Sequence, residues 1–582
     1  MKKSHWIFFC FLFTFNNTFL SQVYLEIDTT NFAAFHKYES TSLSNVSFGS
    51  AGSIFRSLVF SNSHNLLSQS VFLKEEVEDL PSFDVKTPIV DTKYITGSGN
   101  EQLFSVFHSQ NITPLINYSI LYTKKSFDGY YLNQGTNHNF FQSNFSFASK
   151  DKRYNAKLLY KHHRYFHYQN GGIIDDSLFT DDQYSSRNRL LLDVNLENAF
   201  SRDAFNKLGL FQEFLISSKF DSLENKATST IGFDLSVSSQ KRTYFDSLVD
   251  QFYLYNLLDT VSTRDSLTKK HLNSLVQYQI LKEIDSSKTF LFTVGIDGQL
   301  YTHSNLFIDT NFYNSSGFFA INFTGKNHKI GLNANYFVSG YRVGDFTIST
   351  DFFKKYNDFN LSLQAKYSSI SPSYELINYS GNHGYWNNSF ANQKVLFSKG
   401  SLTYKGWKLF SQFTDVENPI YFDYFGVPNQ EYGYSQVIQT SLSKEFSLRA
   451  FQLNTSCFYQ YQGGYTIYQL PEWVGIFDLS YSFDAFKSAL QLNIGIQGMV
   501  FSEYYLMNYR PDFGVFYVSN EKKQENYLYA DFYLNAKIKT VNFFFLVSHL
   551  NSGLMGYNYF SALHYPSPDR YFKLGLRWMF LN

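Results

Sequence analysis

The run Phe290-Leu291-Phe292-Thr293-Val294-Gly295-Ile296-Asp297-Gly298-Gln299-Leu300-Tyr301 decides the fold class. Phe290, Phe292, Val294, Ile296 and Leu300 share one parity; Thr293, Gly295, Asp297 and Gln299 share the other. Side chains alternate faces along an extended strand, so this segment has one apolar and one polar face. Soluble sheets use strands of about 5–6 residues. A tilted strand that crosses a bilayer needs about 9–11.

The same alternation recurs. Tyr154, Ala156, Leu158 and Tyr160 alternate with Asn155, Lys157, Leu159 and Lys161. Leu190, Leu192, Val194 and Leu196 alternate with Leu191, Asp193, Asn195 and Glu197, and Phe572, Leu574, Leu576, Trp578 and Phe580 with Lys573, Gly575 and Arg577. About twenty such windows lie between Leu103 and Asn582. The prediction is an all-β transmembrane antiparallel barrel, and at roughly 22–26 residues per strand and connection it has about 18–22 strands.

Proline placement agrees. None of the ten prolines falls inside an alternating window, and none occurs between Leu115 and Ser371. Proline cannot donate to a strand ladder. Gly325-Lys326-Asn327 and Lys405-Gly406 predict tight turns, whereas Tyr244–Lys270, Ser371–Asn392, Glu417–Tyr432, Tyr505–Asn526 and Asn551–Asp569 read as long polar connections. Short turns at one end and long loops at the other are the pattern of an outer-membrane barrel.

Composition narrows the class further. The chain has 582 residues, 49 Lys+Arg against 49 Asp+Glu, and 20% aromatics. Mean hydropathy is only −0.27, so the aromatics do not come from apolar helices; barrels place them in girdles at the two membrane interfaces. Zero net charge argues against a nucleic-acid partner. Met1-Lys2-Lys3 followed by the apolar Trp6 to Phe15 predicts a cleaved secretory signal over residues 1–21. Residues 22–100 then form an N-terminal segment, periplasmic or a partial plug, and residues 101–582 the barrel.

Several blocks resemble the "putative porin" family of Bacteroidetes outer membranes. They are Ser47-Phe48-Gly49-Ser50-Ala51-Gly52-Ser53, Arg56-Ser57-Leu58-Val59-Phe60, Phe83-Asp84-Val85-Lys86-Thr87-Pro88, Gly99-Asn100-Glu101-Gln102-Leu103-Phe104 and Phe107-His108-Ser109-Gln110-Asn111-Ile112. Further along come Asn170-Gly171-Gly172-Ile173, Asn382-His383 with Trp386 and Asn388, Leu470-Pro471-Glu472, Tyr565-Pro566 with Pro568 and Arg570, and Gly575-Leu576-Arg577-Trp578-Met579-Phe580. The resemblance spans about residues 45–582. It implies a signal-bearing barrel in a bacterial outer membrane, with outer-membrane lipid and the barrel-insertion machinery as partners. One departure is that Phe580 is followed by Leu581-Asn582 rather than standing last.

Chemical sites are few. His162 and His163 point to opposite faces of a strand, and His163 and His167 lie about 13 Å apart along it, too far to share a metal at bonds of about 2.1 Å. No HExxH, GxGxxG or GxxxxGK[ST] pattern occurs. Asp175-Asp176 with Asp181-Asp182 reads as a solvated acidic loop rather than a calcium site. The expectation is therefore a non-enzymatic protein without cofactor or resident metal. The polar parity supplies the candidate lumen-facing residues: Asn155, Lys157, Lys161, Asp193, Asn195, Glu197, Asp297, Gln299, Lys573 and Arg577. These line a water-filled passage for passive diffusion of small polar solutes, the leading reading. The alternatives are a plugged or energised uptake receptor, or an outer-membrane scaffold or adhesin acting through loop aromatics such as Tyr421, Phe422, Tyr424, Phe425 and Tyr432.

Overall fold

The computed structural model describes residues 22–23, 32–37, 43–50, 52–61, 79–181, 186–220, 226–248, 252–285 and 287–581. The signal sequence expected over residues 1–21 lies outside them, as does Asp182.

Twenty-two antiparallel strands close into one barrel. In chain order they are β1 (Ile89–Gly97), β2 (Glu101–Thr113), β3 (Ile116–Phe127), β4 (Thr136–Ala148), β5 (Tyr154–Gln169), β6 (Ala199–Phe220), β7 (Lys226–Asp246), β8 (Thr263–Asp285), β9 (Lys288–Ser304), β10 (Asp309–Gly325) and β11 (His328–Gly340). The ring continues with β12 (Phe346–Tyr356), β13 (Phe359–Ile370), β14 (Gln393–Tyr404), β15 (Trp407–Glu417), β16 (Tyr434–Leu448), β17 (Phe451–Gly464), β18 (Trp473–Ala485), β19 (Leu490–Phe501), β20 (Tyr527–Ile538), β21 (Val541–Ser548) and β22 (Tyr571–Leu581). Each strand pairs with its neighbour in sequence, and β22 pairs with β1 to close the ring. The barrel thus starts at Ile89, before the boundary expected at residue 101. No barrel strand contains proline; Pro88 stands directly before β1 and Pro114 in the turn after β2.

Alternation becomes two surfaces. Register places Tyr160, Leu208, Val237, Leu272, Leu300 and Tyr313 side by side across β5 to β10. They point outward; Leu208 is 51% and Leu300 54% exposed. Their sequence neighbours point inward and are mostly polar. The closed ring leaves no edge strand, as a bilayer demands.

The two ends differ. Connections at the end holding the start of β1 and the close of β22 run from two to five residues. Lys405 (φ 44°) and Gly406 (φ 80°) make one such turn, since a two-residue hairpin loop matching the strand twist needs positive φ. At the opposite end lie residues 170–198, 247–262, 371–392, 418–433, 502–526 and 549–570.

One strand expected from sequence is absent. Residues 190–197 alternate, yet Ser186–Leu191 forms a 3-10 helix and the rest is loop within the connection 170–198. Leu192, Val194 and Leu196 are buried inside the barrel rather than facing lipid. The alternation reflects one side of a loop packed on other loops: a short apolar-polar rhythm marks a half-buried extended segment, whatever buries it.

Candidate functional site: the occupied lumen

The connections 170–198, 418–433, 502–526 and 549–570 do not project as free polar loops; they fold inward and pack against the N-terminal segment. Leu58, Phe179, Leu192, Val194, Tyr559 and Phe560 form one buried cluster with inward-facing Val474, Met499 and Tyr527. Phe48, Tyr421, Tyr468, Leu470, Tyr509 and Tyr565 form a second. Tyr421 and Phe422 are buried in this interior, while Tyr424, Phe425 and Tyr432 stay exposed.

The N-terminal segment meets the inner wall at widely separated strands. The 3-10 helix Phe32–Lys37 docks on β18 to β21. There the His36 amide donates to Asn535 Oδ1 at 3.2 Å, and Lys37 Nζ reaches Asp478 at 2.5 Å. Phe35 packs edge-on against Phe544. Gly575 makes room for that ring, because a Cβ there would lie 1.9 Å from Phe544 Cε1. Farther along, Ser50 Oγ donates to Glu101 of β2 at 2.7 Å. The Phe60 amide donates to Gln460 of β17 at 2.7 Å, and Gln412 of β15 donates to the Phe60 carbonyl at 2.9 Å. Arg56 donates to the Gln469 carbonyl at 2.5 Å, and burial pulls its pKa down to about 10. Asp79 bridges Lys161 and Lys207; burial would raise its pKa, but the two ammonium groups hold it below the usual carboxylate value.

A buried charge network ties the connections together at the mouth. Arg510 pairs with Asp512 at 2.9 Å and donates to the Gly426 and His383 carbonyls, both at 2.7 Å. Burial alone would favour a neutral Asp512, but the guanidinium overrides it and keeps the carboxylate charged. From β7, Arg242 donates to the Pro511 carbonyl at 2.7 Å while paired with Asp203 of β6 at 2.8 Å. Asp265 of β8 accepts the Asn382 amide at 2.8 Å, and His383 meets Thr263 Oγ1 at 2.8 Å. The connection 502–526 springs from β19 and β20, which stand nearly opposite β7 in the ring.

Of the candidate lumen residues, Asn155, Lys157, Lys161, Asp297, Gln299, Lys573 and Arg577 lie on the inward parity of barrel strands, opposite exposed Leu158, Ile296 and Leu574. Lys573 pairs with Glu101 at 2.8 Å and Arg577 with Asp91 at 2.9 Å. Lys157 stands over the Phe211 ring. Asp193, Asn195 and Glu197 do not line a strand; they sit in the connection 170–198, where Asp193 and Glu197 are exposed and Asn195 Nδ2 donates to the Gly171 carbonyl at 3.1 Å. Of the acidic loop, Asp175 caps a short helix and Asp176 pairs with Lys522 at 2.8 Å. Among the three histidines, His163 and His167 point inward, while His162 points outward to Asn206. Sequence reasoning missed Arg242, Asp203, Arg510 and Asp512. The usable signal was the Arg510-Pro511-Asp512 triplet inside a segment rich in aromatics.

Two histidines outside the spanning strands make docking pH-sensitive. Burial lowers His36 to about 4, opposed by Gln497 Oε1, which accepts from the ring, and burial lowers His549 to about 4, opposed by the Pro568 carbonyl. Both are held neutral when docked, against an ordinary value near 6.5. Docking is therefore strongest above pH 6.5. It weakens as pH falls toward 4, because only the released state takes up the proton, at about 1.4 kcal/mol per pH unit per histidine. Protease cleavage near residues 37 and 550 is expected to rise between pH 7.5 and pH 5, and His36→Gln to flatten the response near residue 37. A flat profile in the unaltered protein would contradict the reading.

A closed 22-stranded barrel with short turns at one end and an apolar outer band is the architecture of an outer-membrane β-barrel protein. The chain belongs to the family described as "Putative porin", whose profile matches residues 11–582. No curated protein sequence matches it. Among solved structures it is similar to the siderophore receptor PirA from Acinetobacter baumannii, at 10% identity and TM-score 0.58, covering 86% of this chain and 81% of that one. It is also similar to the ferric-catecholate import receptor Fiu from E. coli K12, at 13% identity and TM-score 0.55, covering 86% and 83%. A third is the FrpB iron transporter from Neisseria meningitidis, at 9% identity and TM-score 0.59, covering 85% and 83%. At these identities the likeness is one of fold.

Proposed function

We propose that this protein is an outer-membrane channel held closed by its own N-terminal segment and infolded connections, and that it opens to admit small polar solutes. The observation that carries this reading is the connection 502–526, which spans the mouth to reach Arg242 on the far wall. A standing-open pore for passive diffusion would leave the inward Asn, Gln and Lys side chains to water. Here Gln412, Gln460, Asn535 and Lys161 are buried against residues of the N-terminal segment. The opened passage would be lined by groups such as Asp297, Gln299 and Lys366, of both signs, which favours neutral or zwitterionic polar solutes over a strongly ion-selective pore.

An uptake receptor driven from the inner membrane is the second reading. It is favoured by the strand number, since rings of about 22 strands elsewhere carry plugs, and by the solved receptors of similar fold. The test is planar-bilayer conductance of refolded residues 22–582 beside the same barrel lacking residues 22–88, with folding verified by heat-modifiable mobility. The full chain is expected to stay closed or open only in rare bursts, and the shortened barrel to give stable steps. Sustained steps from the full chain would overturn self-closure in favour of a passive porin.

A further inference from the structure

The outer face of the barrel is not uniform around its circumference. Beyond the apolar band, toward the long-connection end, β3 to β8 carry a basic belt. Register aligns Lys124, Asn139, Arg164, Ala204, Lys241 and Thr268 side by side across these six strands. This row lies four residues above the apolar row through Tyr160, Leu208, Val237 and Leu272, about 13 Å along the strand. The intervening row is polar: His162, Asn206, Ser239 and Lys270. Arg202 and Arg264 add two guanidinium groups just above. All six basic side chains are exposed.

Among the described residues none of the six is in an ion pair with a carboxylate, and the acids beside them in sequence, Asp203, Asp246 and Asp265, are buried on the inward parity of β6, β7 and β8. Elsewhere in the ring the outward positions at this end hold aromatics, such as Tyr367, Tyr434, Tyr461 and Trp473, each above 40% exposed. The outward lysine there, Lys394, is paired with Glu417 at 3.0 Å. So the belt wall interleaves its cations with outward aromatics such as Phe166, Tyr168 and Phe200, whereas the other wall holds aromatics and a paired lysine.

We propose that this belt binds the phosphate-bearing headgroups of outer-leaflet lipids, fixing an anionic lipid patch on one side of the barrel. The belt is continuous with the lipid-facing band below it, so an acyl chain lying on Leu208, Val237 and Leu272 brings its headgroup to Lys270, Arg164 and Lys241. Short turns mark the periplasmic end, which puts the belt in the external leaflet. Basic clusters at a membrane surface attract anionic headgroups, and a row of Lys and Arg about 10 Å apart on alternate strands can bridge two phosphates of one lipid or of neighbours.

The test uses the full chain refolded into phosphatidylcholine nanodiscs doped with a doubly phosphorylated glucosamine lipid, or with the same lipid after phosphate removal. Bound lipid is counted by native mass spectrometry. The unaltered protein is expected to retain the phosphorylated lipid at least tenfold over its dephosphorylated form. The triple variant Lys124→Gln, Arg164→Gln, Lys241→Gln is expected to lose that preference while keeping heat-modifiable mobility. Lys354→Gln, at the opposite end, serves as control and is expected to change nothing. Equal retention by the triple variant, or no preference for phosphate in the unaltered protein, would overturn the proposal. Displacement by inorganic phosphate alone at millimolar concentration would also overturn it, by reducing the belt to a free-anion site. Should the triple variant not fold, the single variant Arg164→Gln with the same lipid pair gives the reading.

Discussion

Arg510→Met is expected to free the connection 502–526 from the mouth of the barrel while leaving the ring folded. Arg510 is the partner of Asp512, whose side chain has no exposed surface, and it also satisfies two carbonyls on other connections. Removing one member of a buried pair leaves an uncompensated charge and typically costs about 3–5 kcal/mol. The loop can escape that cost by leaving the mouth, so the loss should appear as loop release rather than barrel unfolding. Two readouts follow: protease cleavage within residues 502–526, and channel openings in a planar bilayer. The double variant Arg510→Met, Asp512→Leu removes the stranded charge and should recover much of the protection. A single variant as resistant and as closed as the unaltered protein would show that the network does not hold the mouth.

The second large effect lies in the wall. Ile296→Arg, near the centre of β9, places a charge on the lipid-facing surface and should cost about 2–4 kcal/mol. Ile296 is 66% exposed on that face. Three residues on, Gln299→Arg puts the same side chain into a polar interior beside Asp297 and should cost far less. Reversible urea unfolding in lipid or detergent measures both. Equal costs would mean the inward and outward faces of β9 are reversed.

The wall was legible in the sequence because a bilayer imposes period two on every strand and expels proline from the ladder. The observed number, 22 strands, is the upper end of the expected range. The filling of the lumen was not legible. Loops such as 502–526 read as polar because Arg510, Asp512 and Asn508 interrupt their aromatics, and only the fold reveals that these charges are satisfied by one another and by carbonyls. Leu192 shows the complementary error: alternation reports half-burial, and here the burying surface is a second loop rather than lipid. The blocks that carried the family resemblance prove to be largely interior. Phe48 stacks on Tyr565 with ring centroids 4.0 Å apart. Gly172, at φ +83°, gives the His564 carbonyl room to accept the Ile173 amide at 2.8 Å. Asn382 and His383 lock a connection to β8. Motif residues therefore marked the interior, but nothing in their spacing said which would meet.

The seam between β22 and β1, together with the docked N-terminal segment, dictates an order of events during biogenesis. His36 finds Asn535 across 499 positions of chain, and Lys573 finds Glu101 across 472. Neither contact exists until nearly the whole polypeptide has been delivered, and loop closure over such spans delays folding. A ring zipped shut with residues 32–61 still outside would leave them no lateral way in. Entry through a closed ring is then axial only, and an open sheet gathering around the N-terminal stretch before β22 meets β1 offers the more direct route.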